Sequence, residues 1–108
     1  LAELEVIQNP NPEINCPEIP EVITPNNDMT NDFFEIPCLE DYTNPFLKIY
    51  NRYGVLIFQQ KNYNNNWNGV PNSGLLNNPD NRVPVGTYYY IMESENKDPV
   101  IGWIYLNY

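Results

Sequence analysis

The stretch PVGTYYYIMESENKDPVIGWIYLNY, residues 84–108, decides the fold. It holds two long runs, Gly86 to Ser94 and Val100 to Leu106, joined by Glu95-Asn96-Lys97-Asp98-Pro99. β-branched and aromatic residues dominate both runs, and neither shows a helical period, so each reads as a strand. In the first, Tyr88, Tyr90 and Met92 share the inward face, and Tyr89 and Ile91 share the other. Gly86 precedes Tyr88 by two places at the start of that strand, the pattern of a tyrosine corner, whose hydroxyl closes back on the chain. Gly86 and Tyr88 are therefore assigned structural roles. The second run has a bulky apolar or aromatic group at almost every second position and continues to Tyr108 without a polar tail.

Shorter strand-like runs precede these two. They are Glu21–Thr24, Asp32–Ile36, Phe46–Tyr50 and Val55–Gln59. In Phe46–Tyr50, Leu47 and Ile49 take one face and Lys48 and Tyr50 the other. Asn51-Arg52-Tyr53-Gly54 suits the turn of a hairpin. The polar stretch Asn62 to Asn68, closed by Gly69, contains Trp67, which reads as a plug for one end of the core. A Gly/Asn/Pro-rich loop runs from Pro71 to Pro84. The expected fold class is all-β, a sandwich of about seven antiparallel strands. Residues 1–20 carry Pro10, Pro12, Pro17 and Pro20 and read as an extended Pro-rich leader or linker, in which Leu4, Val6 and Ile7 form a short edge strand or dock on the body. Residues 21–108 form the domain. The chain starts at Leu1, with no basic segment followed by an apolar stretch, and reads as a piece of a longer polypeptide.

Composition sets limits on function. The 108 residues suit one domain, and no apolar run approaches the length of a membrane span. Net charge is −9, which disfavours nucleic acid as a partner, because phosphate binding needs a basic face. The absence of histidine removes the commonest general base and the commonest metal ligand. Ser73 and Ser94 therefore have no triad partner, and no catalytic residue is assigned. Glu35, Glu40 and Asp41 would serve a paired-carboxylate hydrolase only by being acidic, and acidic residues on a small sandwich are usually solvated. The expectation is a protein that is not an enzyme.

Two features stay open at this level. Cys16 and Cys38 form either a disulfide, if the protein is exported, or two separate thiols, since spacing does not fix connectivity. In Thr24-Pro25-Asn26-Asn27-Asp28-Met29-Thr30-Asn31-Asp32, the oxygen donors Asn26, Asp28 and Asp32 have the short spacing that calcium favours. The stretch lacks the glycine and the terminal glutamate of a calcium loop. An Asx-turn loop, whose side chains bond their own backbone, is the preferred reading, with no metal or cofactor and calcium as the alternative. The nine tyrosines fit sugar stacking, protein docking or plain cross-strand pairing.

Taken in order, these blocks carry a resemblance. Ile23 to Phe34, ITPNNDMTNDFF, resembles the opening TPNxDGxNDxF motif of the gliding motility-associated C-terminal domain, the type B sorting domain of the type IX secretion system in Bacteroidota. The blocks IPCLEDY (36–42), LKIYNRYG (47–54), NYNNNWNG (62–69), PVGTYYY (84–90) and GWIYL (102–106) follow in the same order and spacing. The likeness runs from about residue 21 to the end, and Asn26, Asp28, Asn31 and Asp32 form its motif loop. Met29 stands where the family has glycine, which puts that tight turn in question, and Tyr53 stands where the family has tryptophan.

The resemblance implies an Ig-like β-sandwich at the C-terminus of a large exported cargo, such as an adhesin or a gliding-related surface protein. It implies recognition at the outer membrane by a PorV-like shuttle and an SprF/PorP-like protein, with the product at the cell surface or outside the cell. As an isolated domain it would be monomeric. Under this reading the last strand is part of the address, and Trp103, Tyr105 and Tyr108 are its partner-binding residues. The alternative is an Ig-like binding module of a surface adhesin for glycan or protein.

Overall fold

β4 (Gly86–Glu93) and β5 (Val100–Leu106) pair antiparallel in unbroken register, from Gly86 opposite Leu106 to Met92 opposite Val100. This hairpin anchors the computed structural model, which describes residues 16–73 and 82–108. β2 (Phe46–Tyr50) pairs antiparallel with the other side of β4 and with β3 (Leu56–Lys61). β1 (Val22–Ile23) lies parallel to the end of β5. The result is one five-stranded sheet in the order β1-β5-β4-β2-β3, and a 3-10 turn at Leu39–Asp41 is the one helical element among the described residues.

The inner face follows the two-residue period of the sequence. Leu47 and Ile49 on β2, Tyr88, Tyr90 and Met92 on β4, and Ile104 and Leu106 on β5 are all buried. Gly102 completes that row because the Tyr90 ring lies across it: a Cβ there would meet the Tyr90 hydroxyl at 2.8 Å. Facing the sheet, irregular chain supplies Phe34, Ile36, Tyr63, Trp67 and Val83 to the same core. The Phe34 and Tyr90 rings are 5.0 Å apart, and Trp67 meets Tyr88 edge-on at 6.2 Å. Trp67 is 1% exposed, and its Nε1 donates to the Val70 carbonyl, so the ring is a core plug with its polar handle satisfied.

The architecture is all-β and consistent with an Ig-like sandwich, but two details of the sequence expectation need correction. The described residues form five strands, against an expectation of about seven for the domain, and β1 runs parallel to its neighbour. Asp32–Ile36 forms no strand because its amides bond elsewhere: Phe34 donates to the Trp67 carbonyl and Ile36 to the Asn65 side chain. Pro37 stops any extension of that segment. β1 is only two residues long because Pro20 and Pro25 bracket it and neither can donate to a ladder. The expected strand at Leu4, Val6 and Ile7 and part of the Pro71–Pro84 loop lie outside the described residues. The end of the Pro-rich leader is fastened to the body: Cys16 is bonded to Cys38, and Ile19 packs against the core.

Candidate functional site

The outer face of the sheet is aromatic where β4 meets β5. The alternation that buries Ile104 and Leu106 turns Trp103 and Tyr105 to solvent, where they are 57% and 43% exposed. Across the ladder Trp103 faces Tyr89, and Tyr89 faces Tyr50 of β2. Tyr105 stands between Thr87 and Val22. Together Glu21, Val22, Thr87, Tyr89, Trp103 and Tyr105 line a shallow groove with a single carboxylate and no cation. Each ring is held on a regular strand, so the surface is preformed rather than loose. Such exposed Tyr and Trp bring large contact area at low entropic cost, which suits protein docking.

Tyr108 lies elsewhere. Its hydroxyl donates to the Val83 carbonyl at 2.7 Å, and the Arg82 guanidinium sits over its ring at 5.4 Å. The same hydroxyl closes on Gly69, whose φ of 96° and missing Cβ give it room. Arg82 also donates to the Pro25 carbonyl. The end of the chain is thus stitched to the start of the motif loop, on a different side from Trp103 and Tyr105.

The motif loop bonds itself. The Asp32 carboxylate accepts from the Asn27 amide at 3.0 Å and the Met29 amide at 2.8 Å, and Asp28 accepts from the Thr30 amide at 2.9 Å. The Thr24 amide donates to the Asn31 carbonyl at 2.8 Å. Asn26 is exposed beside them. Both Asp32 oxygens and one Asp28 oxygen are therefore engaged by backbone N–H groups; the Asp28–Thr30 bond is an Asx turn, while Asp32 reaches back to amides earlier in the loop. Asn27, Met29 and Asn31 all have positive φ. Met29, in the place of the resembled motif's glycine, adopts the left-handed backbone with its side chain 94% exposed.

Gly86 and Tyr88 lie at the start of β4. The Tyr88 hydroxyl donates to the Pro84 carbonyl at 2.6 Å, and burial, with Tyr108 adding to it, pushes its pKa up to about 12. Gly86, at φ 151°, opens the strand. Cys16 and Cys38 are joined as a disulfide with Cα atoms 5.9 Å apart. Asp41 lies close to both sulfurs, but bonded sulfurs offer no thiolate to a metal.

Residues 17–106 match the family model of the CHU_C type IX secretion signal domain. The chain belongs to this family. No curated protein and no solved structure matches it. A type IX secretion signal domain is a sorting signal rather than a catalytic family, and it engages the secretion machinery that exports its chain. No helix among the described residues is long and apolar enough to cross a membrane.

Three side chains that hold this signal domain together escaped sequence reading. Tyr63 and Asn65 sit in what reads as a polar stretch, and Arg82 in what reads as a Gly/Asn/Pro-rich loop. Their partners, Phe34, Ile36 and Pro25, are remote in sequence. Asn richness beside an aromatic was the one available signal.

Proposed function

We propose that the aromatic outer face of β4 and β5 is the surface that the type IX machinery reads, with Trp103 and Tyr105 as its anchors. The supporting observation is that two large rings stand exposed on a regular strand paired along its length with β4, where a solvated sheet face normally carries polar groups. The domain serves as the C-terminal address of a large cargo, an adhesin or gliding-related surface protein. It is monomeric when isolated, and delivers the cargo to the cell surface or medium. A PorV-like shuttle and an SprF/PorP-like outer-membrane protein are its partners. The stitch from Tyr108 through Arg82 to Pro25 supports a second contact region at the motif loop of Asn26, Asp28, Asn31 and Asp32.

The test is a transplant. Residues 1–108 are fused behind an N-terminal signal peptide and a fluorescent reporter in a type IX-competent bacterium. Fluorescence at the surface or in the medium of that strain, absent from a secretion-null strain, is the expected result. A reporter retained in the periplasm of both, with the candidate SprF-like partner also supplied, overturns the reading.

One observation favours a second reading. Tyr89 and Trp103 are adjacent across the ladder and both exposed, as are the rings that stack on sugars. A glycan-binding module would retain the isolated domain on insoluble polysaccharide and lose it on Trp103→Ala.

A further inference from the structure

The two edges of the sheet are finished differently. At the β3 edge, the Asn72 side chain stands in for a neighbouring strand. Its Nδ2 donates to the Gln59 carbonyl at 2.9 Å, and its Oδ1 accepts from the Gln59 amide at 3.0 Å. The Asn72 and Ser73 amides both donate to the Ile57 carbonyl, at 2.8 and 3.0 Å. Another strand cannot pair there without displacing them, which is how natural edges are blunted.

Among the described residues the β5 edge has no such cover along its first half. The Tyr105 amide donates to the Glu21 carbonyl at 2.7 Å, and the Asn107 amide to the Ile23 carbonyl at 3.1 Å. In an antiparallel pair, alternate residues direct their N–H and C=O to opposite sides. Ile101 and Trp103 share the parity of Tyr105, so their backbone groups point off the sheet. Among the described residues no backbone group pairs with them from that side. The β1 ladder ends at Glu21, and of the upstream residues with the same parity Pro17 has no N–H. Pro17, Glu18 and Ile19 line a cleft with Val100 but make no backbone bond to β5.

We propose that the Ile101–Trp103 edge of β5 is a strand-addition site for an extended segment of the secretion machinery. This rests on the sorting reading above and names how the partner pairs. The incoming strand continues the β1 ladder upstream, bonding the outward N–H and C=O groups of Ile101 and Trp103. Its alternate side chains fall onto the groove of Tyr89, Trp103 and Tyr105, so they are apolar. Glu18, Glu21 and Asp98 are exposed along this border, while Lys97 is turned onto the Tyr42 ring at 5.4 Å. The segment therefore carries Lys or Arg between its apolar residues.

The experiment compares Ile101→Pro with Ile101→Ala in the reporter fusion. Proline removes the outward N–H and leaves the β4 ladder bonds in place; alanine keeps the N–H and removes only the side chain. Loss of one backbone hydrogen bond predicts export lowered about tenfold for I101P and little changed for I101A. Should I101P lower the unfolding midpoint of the purified domain, the double variant Glu18→Lys, Glu21→Lys decides instead, since both positions are exposed. It is expected to lose export while keeping its stability. Parent-level export of a stable I101P, or of E18K/E21K, overturns strand addition and leaves the sorting reading standing. Failure of the unaltered fusion to leave either strain overturns both.

Discussion

The Tyr63 hydroxyl donates to the Phe34 carbonyl at 2.6 Å and accepts from the Trp67 amide at 3.0 Å. One buried phenol thus joins two irregular segments that no strand ladder reaches. Tyr63→Phe keeps the ring and removes the oxygen, leaving a buried carbonyl and a buried amide short of partners. A loss of about 2–4 kcal/mol is expected, read from urea unfolding. A loss under about 0.5 kcal/mol would show that the two segments do not depend on this bridge.

Alkaline pH should unfold the domain through its tyrosines. Burial raises Tyr63 above the ordinary tyrosine range, and raises Tyr88, Tyr90 and Tyr108 as well. A folded pKa above the unfolded value of 10.0 means the contribution is complete below pH 10 and is lost as pH climbs through the folded value, about 12 for Tyr88. The unfolding midpoint should therefore hold up to roughly pH 10 and fall beyond it. Tyrosinate absorbance should lag that of the unfolded chain. Ionisation of all nine tyrosines near pH 10 with the fold intact would contradict this.

The strands that sequence reveals are those with one wet face. Leu47 and Ile49, Tyr88, Tyr90 and Met92, and the outward Trp103 and Tyr105 all follow from a period of two. Asp32–Ile36 shows the same alternation yet forms no strand, because Phe34 and Ile36 are buried while their amides bond a tryptophan carbonyl and an asparagine side chain. Burial sets the alternation; the ladder depends on partners about 30 residues away, which local pattern does not carry. Parity separates Tyr108 from Trp103 and Tyr105 and groups it with the buried Ile104 and Leu106, but β5 ends at Leu106, and beyond it the chain turns toward Val83.

Met29→Gly should stabilise the motif loop. Met29 holds φ 68° with an almost fully exposed side chain, so the substitution forfeits little packing. The left-handed backbone costs an L-residue about 1–2 kcal/mol, partly offset by the extra unfolded-state entropy of glycine. A net gain of about 0.5–1 kcal/mol in urea unfolding is expected. An unchanged or lower midpoint would mean that Asp32, which accepts from the Met29 amide, already absorbs the strain.

The Cys16–Cys38 disulfide spans 22 residues and ties the Pro-rich segment to the 3-10 turn. Chain entropy for a loop of that length gives about 3 kcal/mol, so Cys16→Ser with Cys38→Ser should cost about 2–3 kcal/mol. Protease sensitivity should rise around Ile19, whose packing on the core the bond secures. Equal stability with and without the disulfide would show that the Ile19 packing alone fixes the segment.

Trp103→Ala and Tyr105→Ala separate docking from folding. Both rings are on the outer face, so their loss should cost less than about 1 kcal/mol, mainly cross-strand contact with Tyr89 and Thr87. Ile104 lies between them and is wholly buried; Ile104→Ala should cost about 2–5 kcal/mol. Export of the reporter should therefore fall for the two outer variants without loss of stability, whereas I104A should lose both together. A face that the machinery reads predicts this divergence between neighbours on one strand. If W103A and Y105A leave the cell as well as the parent, the rings are cross-strand packing and the address lies on another surface of the domain.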